Sequence, residues 1–117
     1  MSTFEHLTLM KNINSELGPF RQSQSTAMQG FATLAAAAMT AGAIDAKTKE
    51  LIALAIGVSQ HCSGCIAFHT KALARLGCTK QELEEMLAIC VYMGGGPNLM
   101  YAAEALKAFE SQTSTTA

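Results

Sequence analysis

The amino-acid sequence predicts an all-α domain of about six helices, and three observations carry that reading. Apolar residues recur at spacings of three and four along most of the chain, the period of a helix face. Helix starts and stops punctuate the pattern, with Asp45 and Thr79 as caps and Gly42, Gly77 and Gly94-Gly95-Gly96-Pro97 as breaks. Only 6% of residues are aromatic and none is Trp, whereas strands draw on aromatic and β-branched side chains. Half of the 117 residues are hydrophobic, which suits one modest core, so residues 1–117 read as a single domain without repeat or linker.

Taken in order, Ser2 or Thr3 caps a first helix, with Glu5 in capping-box position after Ser2. Phe4, Leu7, Met10, Ile13 and Leu17 form its stripe. Gly18-Pro19 is expected to end this helix and open a second over residues 19–41, because proline suits a first turn and not an interior. Phe20, Ala27, Met28, Phe31, Leu34, Ala35 and Ala38 supply the second helix's apolar face, and Gly42 stops it. Asp45 caps a third helix over 46–59; from Leu51 onward it is apolar all round, which predicts central burial.

A break at Ser59-Gln60-His61 leads into a fourth helix over 62–76, whose inward stripe is Cys62, Cys65, Ile66, His69, Leu73 and Leu76. Thr79 and Glu82 form a capping box for a fifth helix over 80–92, with Leu83, Met86, Leu87, Cys90 and Val91 inward. A sixth, over 97–110, turns Leu99, Met100, Ala103, Leu106 and Phe109 to the core. Residues 111–117 are polar, unpatterned and expected to fray.

A formal charge of -1 gives no electrostatic reason to expect nucleic acid or an anionic membrane as partner. No secretory signal is visible, and the longest apolar run, residues 51–58, is far shorter than the ~20 residues that span a bilayer. These features predict a cytosolic protein, where thiols stay reduced and four cysteines are not a disulfide framework. A Cys-x-x-Cys pair in that setting is redox-active or metal-binding more often than structural.

That pair, Cys62 and Cys65, is the chemical centre of the sequence. With roughly 100° per residue, Cys62, Cys65 and His69 share one helical stripe. If helices three and four form an antiparallel hairpin turning near residue 60, Glu50 and His69 come to nearly the same height. A carboxylate, an imidazole and a thiol then form a relay. The thiolate is the nucleophile, and lowering a cysteine pKa from ~8.5 to ~6.5 raises its thiolate fraction at pH 7 from about 3% to about 75%. The first turn of a helix favours that charge, while burial opposes it and gives an internal base a purpose. The second cysteine can condense with a sulfenic acid to form a disulfide.

Glu50, eleven intervening residues, Cys62-x-x-Cys65, three more and His69 resemble the signature of the alkylhydroperoxidase D-like branch of the carboxymuconolactone decarboxylase family. The likeness extends over about residues 44–92, through Asp45-Ala46-Lys47-Thr48-Lys49 before the motif and Thr70-Lys71-Ala72-Leu73, Leu76-Gly77 and Thr79-Lys80-Gln81-Glu82 after it. The resemblance implies an all-helical fold assembling as homo-trimers or homo-hexamers, with a thiol site that reduces hydroperoxides and needs no cofactor or metal. It further implies that Cys65 attacks the peroxide, that Cys62 resolves it and faces a dithiol electron donor, and that Glu50 and His69 relay the proton. The hydroperoxidase proper has a histidine just before the second cysteine, where this chain has Gly64; His61 lies three residues earlier, about 300° around a helix.

Other readings stand beside this one. Cys62 and Cys65 can be buried structural thiols, or zinc ligands with His69 and one of Glu50, His61 or Cys90. The function classes that follow are a disulfide reductase of unknown partner and a non-catalytic zinc-binding or structural oligomer. His61 reads as a turn residue, His6 as surface, Cys90 as core, and Cys78 as an exposed turn thiol. Most methionines fall at core spacings, and residues 94–97 lack the Lys and Ser/Thr of a phosphate loop.

Overall fold

A computed structural model describes residues 5–114, and all of its regular structure is helical. The elements are α1 (Glu5–Ser23), α2 (Ser25–Met39), α3 (Ala46–Ser59), α4 (Ser63–Arg75), α5 (Lys80–Gly94) and α6 (Gly96–Ser114). The expected cap at Ser2 or Thr3, and Phe4 of the first stripe, lie outside the described residues.

Local chemistry accounts for most boundaries. The Asp45 carboxylate accepts from the Thr48 N–H at 2.7 Å and starts α3. Thr79 and Glu82 satisfy each other's backbone N–H groups in a full capping box at α5. Gly77 has a φ of +77° and ends the α4 turn, and Gly95, with φ +73°, separates α5 from α6, a region where Cβ is costly.

The first boundary is a correction. Pro19 lies inside α1, which continues to Ser23. Pro19 is on the exposed side, so the carbonyl that loses its donor there is open to water and the helix survives the ring. The break falls instead at Gln24, whose φ is −118°.

The core is built from Leu54 and Val58 of α3, Ile66 and Leu73 of α4, Leu83 and Leu87 of α5, and Ala102, Ala105, Ala108 and Phe109 of α6. α4 lies at the centre, packed chiefly against α6 and α3. The buried face of α6 is offset from expectation: Leu99 and Met100 are exposed while the three alanines face inward. Small side chains let α6 approach α4 closely, and the larger apolar residues are turned outward. α6 also stays helical through Ser114, with Ser111 and Gln112 buried, so the fraying expected from residue 111 is not found there. Its Ser111 hydroxyl donates back to the Lys107 carbonyl at 3.0 Å, which absorbs the polarity that made the segment look like a tail.

Two apolar faces lack the expected cover. α2 buries no residue at all, leaving Phe31 67% and Leu34 64% exposed. α3 is not buried all round, because Ile52 and Ile56 face outward beside Ile89 and Met93 of α5. The radius of gyration, 14.6 Å, exceeds the about 13.4 Å expected for a compact chain of this length, consistent with α2 standing off the core. No helix among the described residues is long and apolar enough to cross a membrane.

Candidate functional site

The α3–α4 hairpin turns at residues 60–62. The Gln60 N–H closes on Ile56 O at 2.8 Å, His61 N–H on Val58 O at 3.1 Å, and Cys62 N–H on Gly57 O at 3.0 Å. His61 takes a left-handed conformation, φ +56°, and is the one described non-glycine residue to do so. Strain of that kind, roughly 1 kcal/mol, needs surrounding contacts to hold it.

Two contacts hold the ring. The His61 imidazole stacks on Tyr101 with centroids 4.5 Å apart and planes 10° from parallel. Its Nε2 lies 3.3 Å from Asn98 Oδ1. Asn98 is buried, and its Nδ2 donates to the Cys90 carbonyl at 2.9 Å and to Ser59 Oγ at 3.2 Å. Sequence reading missed both residues of α6; the only signal was Gly94, one turn before Asn98, where a Cβ would collide with the Asn98 amide.

Cys62 is the N-cap of α4, and its sulfur accepts from the Cys65 N–H at 3.2 Å. Cys62 and Cys65 are joined as a disulfide. Gly57 of α3 faces this pair: a Cβ there would lie 2.9 Å from Cys65 Cβ, so the two helices meet at a contact only glycine permits. Ile13 of α1 covers the other side, 3.1 Å from where a Cβ on Gly64 would be. At the position that carries a histidine in the hydroperoxidase proper, a side chain would have to displace the end of Ile13.

Two turns before Gly57 on α3, Glu50 meets His69, which is one turn after Cys65 on α4. Glu50 Oε2 lies 2.7 Å from His69 Nδ1, with the side chains 16% and 31% exposed. A carboxylate can only accept here, so Nδ1 carries the proton and, in the neutral ring, Nε2 keeps the lone pair. The four candidates therefore fall into two joined pairs across one hairpin: Glu50 with His69, and Cys62 with Cys65.

The remaining candidates lie elsewhere. Cys90 is buried against Ala55 and Met86, and burial pushes its thiol pKa up. Cys78 is buried rather than exposed, its thiol directed at Thr79 O at 3.4 Å. Burial and then the nearby Glu82 carboxylate push its pKa up. His6 is 4% exposed, not a surface residue, because α1 presses it against Glu104 of α6 with Nε2 3.6 Å from the carboxylate. Met93 and Met100 face outward. Among the described residues, no three His, Cys, Asp or Glu side chains converge to hold a metal ion.

Comparison with known proteins places the chain. Residues 26–108 match the model of the carboxymuconolactone decarboxylase family. The crystal structure of apo-lpg0406, a carboxymuconolactone decarboxylase family protein from Legionella pneumophila, superimposes with a TM-score of 0.92 at 50% identity, over 94% of this chain and 98% of that one. An uncharacterized protein of Cupriavidus necator is 41% identical over 89% of this chain and 92% of its own. One from Haemophilus influenzae is 33% identical over 92% and 93%. The chain belongs to the carboxymuconolactone decarboxylase family.

Proposed function

We propose that this family member is a thiol oxidoreductase of the alkylhydroperoxidase D-like kind, which reduces hydroperoxides through a dithiol–disulfide cycle at Cys65 and Cys62. The observation that carries the reading is the 2.7 Å bond between Glu50 and His69 on the hairpin that bears the cysteine pair. It leaves Nε2 of His69, one helical turn from Cys65, as a proton acceptor in a half-buried site where water is a poor base.

The Cys65 thiol gives its proton to His69, and the thiolate attacks the terminal oxygen of the hydroperoxide. The S–O bond forms as the O–O bond breaks, and the alkoxide leaves as alcohol with the proton returned by His69. Glu50 steadies the imidazolium between those transfers. Cys62 then attacks the Cys65 sulfenic acid, water leaves, and the disulfide closes. A dithiol donor reduces it, so one hydroperoxide and one dithiol become alcohol, water and a donor disulfide. Conversion of Cys65 to Ser should abolish peroxide turnover with a dithiol donor; full turnover by that variant would end the assignment.

The active form in this reading is a homo-trimer or homo-hexamer. Two apolar faces without cover support it: α2, through Phe31 and Leu34, and a groove of about 520 Å³ between α3 and α5 flanked by Ile52, Ile56, Ile89 and Met93. Fully burying a leucine or phenylalanine contributes about 1.5–3 kcal/mol, and covering these faces is the driving force for assembly in this reading.

A further inference from the structure

We infer that the site has a second acid–base arm, in which His61, positioned by Asn98 and Tyr101, serves the thiol chemistry of Cys62 during reduction by the donor. This rests on the reading of the cysteine pair as a redox centre.

The tautomer of His61 follows from its neighbours. A backbone carbonyl can only accept, so the 2.9 Å contact to Cys90 O fixes which end of the Asn98 amide is nitrogen. Its oxygen is then the atom 3.3 Å from His61 Nε2. Nε2 must donate, and in the neutral ring the lone pair is on Nδ1. His69 is held in the opposite sense, its Nδ1–H donated to Glu50 and its lone pair on Nε2. Each imidazole thus has one nitrogen tied to a fixed acceptor and the other free to take a proton.

The two rings neighbour different cysteines along the chain. His69 is on α4, one turn past Cys65, on the side facing α3. His61 is exposed and bonded directly to Cys62 through the chain, in a left-handed conformation maintained by the Asn98 bond and the Tyr101 stack. Beside it opens a solvent-facing cavity of about 320 Å³ lined by Ser59, His61, Met93, Gly94, Pro97 and Asn98. A dithiol entering there meets the His61 ring, on the residue that precedes Cys62 in the turn.

The donor half-reaction then balances. His61 Nδ1 takes the proton of the first donor thiol, whose sulfur attacks Cys62. The Cys62–Cys65 bond breaks and Cys65 leaves as thiolate, which takes up through Nε2 of His69 the proton that His61 has released to solvent. The donor's second sulfur attacks its own mixed disulfide, expelling Cys62 as thiolate at the α4 cap, where the Cys65 N–H already points at the sulfur. The proton of that second thiol passes through His61, by then neutral again, to Cys62, so the two donor protons end on Cys65 and Cys62 and both rings end as they began.

The test is the single-turnover reduction of the oxidised protein by dithiothreitol. Glycine adopts the left-handed region freely, so His61→Gly removes the ring without straining the turn and leaves a gap over Tyr101 that free imidazole can enter. The variant should be reduced about 10²-fold more slowly, and added imidazole should restore the rate in proportion to its concentration. Asn98→Leu should slow the same step about 10-fold by itself, and add nothing in the His61→Gly background. Reduction of His61→Gly at the wild-type rate overturns the inference, and so does slow reduction that imidazole does not rescue, since the ring would then be only a wedge. Independent, multiplying effects of the two substitutions overturn the positioning role of Asn98. If the wild-type protein itself neither consumes hydroperoxide nor accepts electrons from dithiothreitol, the redox reading of the site fails instead.

Discussion

Replacing Gly57 by alanine probes the contact that sets the distance between the two halves of the site. The added methyl would lie 2.9 Å from Cys65 Cβ, against an ordinary carbon–carbon separation of about 3.5–4.0 Å, so α4 must retreat from α3 by roughly 0.6–1.1 Å. Neither atom belongs to a flexible side-chain end, and the backbone has to move. That retreat stretches the 2.7 Å bond between Glu50 and His69 past the ~3.2 Å limit of a good N–H···O bond. Overpacking costs about 1–3 kcal/mol, and the gain of about 1 kcal/mol in helix propensity from glycine to alanine offsets part of it. Stability is therefore the blunt readout and turnover the sharp one, because a misplacement near 1 Å costs on the order of 10²-fold in rate. Urea unfolding should show a loss of no more than about 2 kcal/mol, while peroxide turnover falls about 10²-fold. A Gly57→Ala protein with wild-type turnover would refute the reasoning that this contact sets the alignment of the relay.

Glu50→Gln keeps the shape and loses the charge, and steady-state peroxide turnover should drop 10²-fold or more; undiminished turnover would remove Glu50 from the relay. On the acid side, a hydrogen bond from Lys47 first, and then the Thr79 N–H, hold the Glu82 carboxyl below its ordinary value, and the Thr48 N–H does the same for Asp45. A carboxyl lowered in the folded state contributes stability that is fully present above its unfolded pKa and lost as pH falls through the folded one. Thermal unfolding should therefore show stability declining below about pH 4.5, less steeply in Lys47→Met; an identical decline in both would exclude the Lys47–Glu82 pair. Light scattering should show Phe31→Glu at a smaller assembly size than wild type, and an unchanged size would exclude α2 from the contacts between copies.

The hairpin was legible from sequence because its information is local. Asp45, Thr79 with Glu82, and Gly77 each act through bonds to residues within a turn, and each does so in the structure. The meeting of Glu50 and His69 followed from rise per residue and the position of one turn. What was not legible depended on other elements. His6 is polar and near the chain start, yet α6 buries it beside Glu104. Leu99 and Met100 have the right period to be core, but α6 turns Ala102, Ala105, Ala108 and Phe109 inward and leaves those two outside. Pro19 carries a local stop signal that solvent exposure cancels. Asn98 is ordinary in sequence, and becomes the support of His61 only because α6 crosses behind the hairpin turn. The apolar periods of α2 and α3 marked faces to be covered, without saying that the chain's own core would leave them open.

The central claim is that Cys65 is the sulfur a hydroperoxide oxidises and Cys62 the one that resolves it. Mass spectrometry of the reduced Cys62→Ser protein after one equivalent of hydroperoxide tests it most directly. The account predicts a single added oxygen on Cys65 that a sulfenic-acid reagent captures, where the wild-type protein gains no oxygen and closes a disulfide instead. An unmodified Cys65 in that variant, with the oxygen appearing on Cys62 of the Cys65→Ser protein, would contradict it.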